Sequence, residues 1–319
     1  MEFALRLAND VNGYPLPIAG AATWQNEQAE DQERVWVARL SLPAVPPDHI
    51  IVPSFCQLDE YDAHFQFCLQ SGLHDWPLNP VPAAGKTAST SNKATEVSCH
   101  IDCWHTHNDL EQSVVELRVR CAHAPSSYLL TLSVRKLELG ADATPLVPDT
   151  SVMVTVPRNI SQMNAEAAIR ARICSPTALV MALSALRREL DWQTAVQTCY
   201  DPQTKAYGAW PLAINAAAQQ GIAAAVECFY DWTDVVRILQ AGSPLVCSIR
   251  FAQGQLQHAP LPQTGGHLVV LYGIDGGHVL VKDPAAAQDS EVSRRYLAEE
   301  FSKAWLQRRG AAYIFAVSQ

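Results

Sequence analysis

Several sequence patterns that define common enzyme and metal-binding classes are missing from this chain of 319 residues. No two cysteines are spaced as CxxC, and none of the patterns GxGxxG, GxxxxGK(S/T) and GxSxG occurs. These absences argue against a zinc ribbon or thioredoxin-type redox motif, a glycine-rich phosphate loop, and the nucleophile elbow of a serine hydrolase. We accordingly predict no cofactor and no metal ion.

Long apolar runs and signs of export are also missing. No run approaches the roughly 18 apolar residues that a membrane span requires. The start, MEFALRLANDVNGYPLP, lacks the basic region and apolar stretch of a signal peptide. The nine cysteines are an odd number without regular spacing, which is typical of a reducing compartment rather than of a disulfide framework. We therefore expect a cytoplasmic protein.

Basic residues are scarce in the first half of the chain. Residues 1–150 contain 9 Lys and Arg against 19 Asp and Glu, whereas residues 151–319 contain 14 against 13. An acidic surface repels phosphate backbones, so no nucleic-acid partner is predicted. The basic residues of SRRYLAEEFSKAWLQRRG (293–310) are interpreted as the solvated face of an amphipathic helix.

The length of the chain, and a change in the pattern of apolar and polar residues near residue 147, predict two domains. Residues 33–136 contain short alternating or β-branched segments separated by turn formers, which favours an antiparallel sandwich. The segments are RVWVARLSL, HIIVPSF, HFQFCLQ, VSCHIDCWH, SVVELRVRC and YLLTLSVRKLEL. The polar stretch 80–96 is predicted to be a loop, and GADATPLVPDTS (140–151) separates an N-terminal β-sandwich domain, 1–147, from a second domain, 148–319.

The second domain is predicted to be α+β, because helical segments come first and strands connected as hairpins follow. Its first helix is predicted to begin with Ser175 as N-cap and Pro176 at the first helical position. Leucines at helical spacing would then share one face. They are Leu179, Leu183, Leu186 and Leu190.

The segment CHIDCWHTHND (99–109) is the strongest metal-binding candidate in the sequence. In a single strand, Cys99, Cys103, His105 and His107 would face one side. At ~3.3 Å per residue the two cysteines would lie about 13 Å apart, too far to share one tetrahedral ion. We interpret the segment as a half-buried strand with incidental polar residues.

A second set of residues fits nucleophilic catalysis by a thiol. Cys174 directly precedes Ser-Pro and an apolar helical run, and the field of a helix N-terminus stabilises a thiolate. The segment TGGHLVVLYGIDGGHVLVKDP predicts a hairpin that turns at residues 275–277. If residues 274 and 278 flank the turn, His267 lies opposite residue 285 and Asp283 becomes its diagonal neighbour. The chain order Cys, His, Asp is that of papain-like peptidases.

Residues 155–319 resemble the bacteriocin-processing-type, C39-like cysteine peptidases of papain-like fold. The matching stretches are VPRNISQMNAEAAIRARICSPTALVMAL, CYDPQTKAYGAWPLAINAAAQQGI, GQLQHAPLPQTGGHLVVLYGI and VLVKDPAAAQDSEVSRRYLAEEFSKAWL. The resemblance implies a peptide or protein substrate, Cys174 as nucleophile, His267 as general base and acid, and Asp283 as its orienting partner. It also implies Gln162 as the side-chain donor of the oxyanion hole. The N-terminal half more faintly resembles the β-sandwich domain that precedes some of these peptidases.

Three functions remain open on these residues. A thiol hydrolase would release the acyl group to water, and an acyltransferase would pass it to an amine or thiol. A catalytically degenerate domain would bind peptides without cleaving them. The third reading is favoured by Ile173, where the family pattern has an aromatic residue, and by the helix-prone link 163–173.

Overall fold

The strands of the first 136 residues form two five-stranded antiparallel sheets, and those of the C-terminal half form a seven-stranded third. The computed structural model describes residues 2–28, 34–59, 64–82, 96–140 and 143–317. The first sheet has the order β1-β10-β4-β8-β7 and the second β2-β3-β9-β5-β6. The third has the order β12-β17-β13-β14-β15-β16, with β11 paired to β14.

The strand and helix bounds follow the order of the chain. The strands are β1 (Phe3–Asn9), β2 (Gln25–Gln28), β3 (Arg34–Leu42), β4 (His49–Gln57), β5 (His64–Ser71), β6 (His74–Pro77), β7 (Val97–Cys99), β8 (Trp104–Thr106), β9 (Ser113–Arg120), β10 (Tyr128–Lys136), β11 (Val152–Met153), β12 (Ala224–Cys228), β13 (Leu245–Phe251), β14 (Thr264–Asp275), β15 (His278–Lys282), β16 (Ser293–Leu297) and β17 (Ala311–Phe315). The helices are α1 (Cys174–Ala185), α2 (Trp192–Thr198), α3 (Trp210–Ala218), α4 (Thr233–Gln240) and α5 (Ala298–Ala304).

Strands β4 and β10 are buried on both faces, because each lies between two apolar cores. On β4, Ile51 and Phe55 pack in the core shared with the second sheet, whereas Ile50 and Val52 pack in the core shared with the C-terminal half. A strand that is buried on both faces needs a continuous apolar run rather than strict alternation. The run HIIVPSF is such a segment.

The outer edge of the third sheet is covered by the first sheet. β12 pairs only with β17, so its other backbone edge needs partners from outside the sheet. Ser54 Oγ accepts the N–H of Val226 at 3.0 Å, and Ser133 Oγ accepts the N–H of Cys228 at 3.2 Å. Hydroxyls on β4 and β10 therefore replace a neighbouring strand, which holds the two halves of the chain together.

A buried ion pair reinforces this contact. The Arg6 guanidinium lies 2.6 Å from Glu227 Oε2, and the Tyr14 hydroxyl donates to Glu227 Oε1 at 2.7 Å. Glu227 is only 1% exposed. Burial raises the pKa of Glu227 above its ordinary value, although Arg6 and Tyr14 oppose the shift. The carboxylate therefore depends on both partners to stay charged.

The first helix begins earlier than the sequence predicted. α1 starts at Cys174 with Ile173 as N-cap, so Ser175 does not cap it and Pro176 is its third residue. The prediction was wrong because the first helical N–H groups all lack intrahelical acceptors, so proline is tolerated beyond the first position. The predicted leucine face is also wrong in extent, because α1 ends at Ala185 with Leu186 as C-cap and Leu190 lies beyond it. Every residue from Ser175 to Ser184 is buried, so the buried surface of α1 is not one leucine stripe.

Two further segments differ from their predicted structures. Residues 97–106 form a hairpin of β7 and β8 rather than one strand, with Cys99 paired to Trp104. Residues 293–310 begin with strand β16, so only their middle part is the helix α5. In both segments pairing to a neighbouring strand overrode local propensity. The predicted loop 80–96 lies mostly outside the described residues.

Among the residues that the structure describes, no helix combines the length and apolar character needed to cross a membrane.

Arg6→Met is expected to lower the free energy of unfolding by about 3 kcal/mol, because it leaves Glu227 buried without its cation. The loss should be smaller at pH 5 than at pH 8, since protonating the raised-pKa carboxyl removes the unpaired charge. Urea denaturation at the two pH values measures both effects.

The double variant Arg6→Met/Glu227→Leu should recover most of the lost stability. Arg237→Met is the matched control, because Arg237 forms an exposed pair with Asp234. It should change the free energy of unfolding by less than about 0.5 kcal/mol. Equal losses in Arg6→Met and Arg237→Met would contradict the role assigned to the buried pair.

Candidate active site

The Cys174 thiol lies at the first residue of α1, where helix geometry favours its ionised form. The backbone N–H groups of Ser175 and Leu268 both hydrogen-bond to the sulfur. Cys174 is partly exposed, while the following residues of the helix are buried. The thiol is therefore accessible to a substrate and lies in the positive field of the helix N-terminus.

The hairpin of β14 and β15 places an imidazole and a carboxylate beside this thiol. His267 Nε2 lies 2.7 Å from Asp283 Oδ1, and the imidazole also hydrogen-bonds to Cys174. Because Nε2 is engaged by Asp283, Nδ1 is the nitrogen left for the sulfur. His267 and Asp283 are 3% and 1% exposed, so water does not screen their interaction strongly.

The turn of this hairpin is tighter than the sequence predicted, yet the register near His267 is the predicted one. Asp275 pairs with His278, so the turn consists of Gly276 and Gly277 alone, both with positive φ. A register shift between Leu271 and Gly273 inserts one unpaired residue into β14. Beyond this shift the pairing returns to the register in which Asp283 is the diagonal neighbour of His267.

The three side chains shift one another's pKa. Burial disfavours the Cys174 thiolate, but the hydrogen bond and charge of His267 outweigh it and lower the pKa of the thiol. Burial likewise disfavours the imidazolium, but Asp283 and Cys174 raise the pKa of His267 to about 10. Burial opposes ionisation of Asp283 too, yet His267 and Tyr296 hold its pKa below the ordinary value. The arrangement therefore favours a thiolate–imidazolium pair at neutral pH.

Gln162 lies beside this group but does not hydrogen-bond to it. Its backbone N–H donates to the carbonyl of Pro284 at 2.8 Å, which places it next to Asp283. Its side-chain Nε2 donates to the carbonyl of Arg170 at 2.6 Å, and its Oε1 is buried without a partner. The predicted oxyanion donor therefore has one amide hydrogen engaged and a second one free.

Tyr296 is a member of this group that sequence reasoning missed. Its hydroxyl donates to Asp283 Oδ2 at 2.8 Å, and its side chain is fully buried. The second oxygen, Asp283 Oδ1, also accepts the backbone N–H of Ala285 at 2.9 Å. The prediction of one helix over 293–310 missed this contact. Tyr296 lies beside Asp283 because β16 pairs with β15.

A cavity of about 580 Å³ opens beside the start of α1. It is lined by Ile173, the neighbour of Cys174, and by aromatic and apolar residues of α2 and the loops around it. The main ones are Ile169, Trp192, Val196, Tyr200 and Tyr207. Trp192 is fixed to the start of α1 by its indole N–H, which donates to Thr177 Oγ1 at 2.9 Å.

The metal-binding candidate identified in the sequence does not form a ligand set. His107 contacts the hydroxyl of Ser98, while His105 packs against the ring of His100 with centroids 3.9 Å apart. Within the described ranges, no group of three His, Cys, Asp or Glu side chains is arranged to hold a metal ion.

Comparison with known proteins identifies the family of the C-terminal half. Residues 155–313 match the model of the Peptidase_C39 like family, and this part of the chain belongs to that family. The family resemblance inferred from the sequence is thus confirmed. No curated protein is significantly similar to the chain.

Two solved structures of peptidases are similar to about half of the chain. One is a double glycine motif protease from an AMS/PCAT transporter in complex with its leader peptide, at 19% identity and a TM-score of 0.35, covering 53% of this chain and 100% of its own. Another, from Bacillus anthracis, is described as a C39-like peptidase, at 19% identity and a TM-score of 0.41, covering 54% and 99%.

Iodoacetamide at pH 6.5 is expected to modify Cys174 at least about tenfold faster than any other cysteine, because its thiolate is stabilised. Five of the other cysteines are buried, and burial raises the pKa of Cys68 and Cys99. Between pH 8 and pH 6 the alkylation rate at Cys99 should fall about 100-fold, as expected for a thiol whose pKa lies above this pH range. The rate at Cys174 should fall far less. Peptide mass spectrometry resolves the sites.

His267→Ala should greatly reduce the faster labelling of Cys174, since the thiol then loses the hydrogen bond and charge of His267, and only the N–H groups of Ser175 and Leu268 oppose the effect of burial. Equal labelling of all accessible cysteines in the unmodified chain, or an inert Cys174, would contradict the ion pair.

Tyr296→Phe is expected to raise the pKa of Asp283, because one carboxylate oxygen loses its donor. As the pH is lowered, the rate of Cys174 alkylation should then begin to fall at a higher pH than in the unmodified chain. The free energy of unfolding should drop by about 1–3 kcal/mol, as for other hydrogen bonds to charged groups. Alkylation rates from pH 3 to 8 measure the first effect and denaturation the second.

Tyr128→Phe is the matched control, since it removes another buried hydroxyl that hydrogen-bonds to the backbone of Ala22, far from the site. Unchanged alkylation profiles in both variants would show that Tyr296 has a structural role alone.

Proposed function

We propose that the chain is a papain-like cysteine peptidase that hydrolyses peptide bonds through Cys174, His267 and Asp283. The observation that carries the proposal is the unbroken hydrogen-bonded series from the thiol through the imidazole to the buried carboxylate. A nucleophile, a proton carrier and an orienting group in contact are the requirements of thiol acyl transfer. Membership of residues 155–313 in the Peptidase_C39 like family supports the same reaction class.

In this mechanism the Cys174 thiolate attacks the carbonyl carbon of the scissile amide and forms a C–S bond. Imidazolium His267 then gives its Nδ1 proton to the leaving amine as the C–N bond breaks. Neutral His267 takes a proton from water, whose oxygen attacks the thioester, and the acid product leaves with regeneration of the thiolate. Asp283 stays ionised throughout and keeps the imidazole oriented, because it holds Nε2.

The oxyanion formed in both attacks needs two donors. The backbone N–H of Cys174 is available, since the first N–H groups of a helix have no intrahelical acceptor. The second donor in our proposal is the free amide hydrogen of Gln162, whose other hydrogen is held by Arg170. That bond fixes the amide plane and supports the choice, because a preorganised donor requires little rearrangement.

We infer that residues 1–147 form a β-sandwich domain and residues 148–319 the peptidase domain. No strand of one part pairs with a strand of the other in the described residues. The contact at β12 indicates that the first domain supports the sheet carrying His267 rather than tethering it loosely. A peptide or protein substrate is part of this proposal, and the cytoplasmic location remains a prediction of the sequence.

A peptide-binding module without turnover is the second candidate, and the engagement of Gln162 favours it. If the bond to Arg170 holds the free amide hydrogen of Gln162 away from the oxyanion when a peptide is bound, the oxyanion has a single donor. Loss of one donor typically costs 10²–10³-fold in kcat, about 2.7–4 kcal/mol. Acyl transfer to an amine uses the same residues and differs only in the acceptor.

Incubation with reduced, denatured casein and a defined peptide library, followed by mass spectrometry, tests the proposal. We expect new free termini with the unmodified chain and none with Cys174→Ala. Gln162→Ala should lower kcat by about 10²–10³-fold. Cys68→Ala, on a strand of the second sheet, is the matched control and should cleave normally.

The alternatives give different products in the same experiment. Products joined to added glycinamide would indicate acyl transfer. Peptides retained by the protein but never cleaved would indicate the binding module and would overturn the hydrolase.

A further inference from the structure

A group of basic side chains meets at the end of the third sheet that carries His267. Arg250 ends β13, Arg308 and Arg309 follow α5, and His100 and His105 come from the β7–β8 hairpin of the first sheet. The net charge of the chain is −9, so a local excess of cations is unexpected. We call these five residues the basic cluster.

The arginines of the basic cluster lack the counter-charges that such groups usually have. In the part of the chain that the structure describes, Arg309 has no hydrogen-bond or ion-pair partner, and the Arg250 Nε donates only to the carbonyl of Gly265, at 2.9 Å. Arg308 lies 3.2 Å from Glu138, and its Nε is buried without a partner. The positive groups therefore outnumber the acids available to them.

Mutual repulsion within the cluster is visible in its ionisation. Burial and the charges of Arg309 and Arg308 lower the pKa of Arg250, while Glu138 opposes the shift. Burial, then the charges of His100, Arg309 and Arg250, lower the pKa of His105 to about 3, so its imidazole is neutral. Asp102 is the other acid on which the charge of Arg309 acts; burial raises its pKa to about 6, and its carboxylate also accepts the N–H of Trp210. An anion entering this place would relieve the repulsion.

The space beside the arginines is large enough for a side chain and adjoins β14, the strand that carries His267. A cavity of about 500 Å³ is lined by Glu138, Arg250, Thr264, Gly265 and Arg308, among others. Gly265 precedes His267 by two residues, a distance of about 7 Å along a strand. A Cβ added to Gly265 or Gly266 would meet no atom within 4 Å, so no side chain crowds the backbone of β14 between the cavity and His267.

We propose that the basic cluster is a subsite for a carboxylate of the peptide substrate, an Asp or Glu side chain within a few residues of the scissile bond. The inference rests on the proposed function, because it takes the strand of His267 as one wall of the substrate cleft. Guanidinium groups bind carboxylates with paired N–H donors, which makes arginine suited to this recognition.

Other ligands fit the cluster less well. A metal cation would add to the positive charge already present. A nucleic acid would have to follow a long basic surface, whereas residues 1–150 are strongly acidic and Glu138 lies on the cavity wall. A single carboxylate needs only the space and donors found here.

Binding to the Cys174→Ala protein tests the subsite without requiring turnover. The probes are fluorescein-labelled decapeptide amides that carry a single Glu, placed at a different position in each peptide. Each has a twin peptide with Gln in place of that Glu. We expect one or two positions at which Glu binds at least tenfold more tightly than Gln by fluorescence anisotropy. The preference should shrink between 50 and 500 mM NaCl.

Arg250→Gln and Arg308→Gln, made in the Cys174→Ala background, should reduce the Glu-to-Gln ratio to below twofold. Arg295→Gln is the matched control, because Arg295 lies on the exposed side of β16 paired with Asp275. It should retain the full ratio. Peptides with a free C-terminus and no Glu form a separate arm that distinguishes a terminal carboxylate from a side chain.

Equal binding of all Glu and Gln twins, or absence of peptide binding, would overturn the proposal. Tighter binding of a twelve-nucleotide single-stranded RNA that depends on Arg250 would overturn it in favour of a nucleic-acid site. Failure of the hydrolase proposal is recognised separately, by lack of cleavage in the unmodified chain, and does not alter the binding result.

Discussion

The candidate active site depends on one electrostatic arrangement, the contact of the His267 imidazole with buried Asp283 on one side and Cys174 on the other. Each charged form is costly in this dry environment unless its neighbours are charged as well. The pKa values of thiol and carboxyl are therefore held low, and that of the imidazole high. Tyr296 completes the arrangement by satisfying the outer oxygen of Asp283.

Holding that arrangement requires a rigid sheet, and the N-terminal half contributes to its rigidity. The edge strand β12 has its free N–H groups accepted by Ser54 and Ser133 from the first sheet. A buried guanidinium–carboxylate pair, Arg6 with Glu227, joins the same surfaces. An exposed edge would be open to pairing with other chains, so covering it protects the peptidase fold from aggregation as well as from distortion.

The basic cluster contains residues from both halves of the chain. The loop of the β7–β8 hairpin contributes imidazoles beside arginines of the third sheet, next to the strand of His267. A recognition surface assembled from both halves would couple substrate choice to their packing.

The main strands of the first half were predicted from the sequence, since β3, β4, β5, β9 and β10 lie where their alternating or β-branched segments placed them. The diagonal placement of Asp283 beside His267 was also predicted, although the assumed turn was one residue too long. The register shift near Leu271 in β14 compensated for that error. Such a shift has no local signature, because it depends on how the strand bends across its neighbours.

By itself the sequence determined the family, the thiol at a helix start, and the hairpin that carries imidazole and carboxylate. The family follows from the resemblance of several long stretches, whereas the thiol and the hairpin follow from spacing and local propensity, which act over a few residues. Only the tertiary structure decided that Tyr296 supports Asp283, that the Gln162 amide is shared with Arg170, and that basic residues from both halves converge. Each of these depends on which distant strands become neighbours, and that choice is made by the packing of whole sheets.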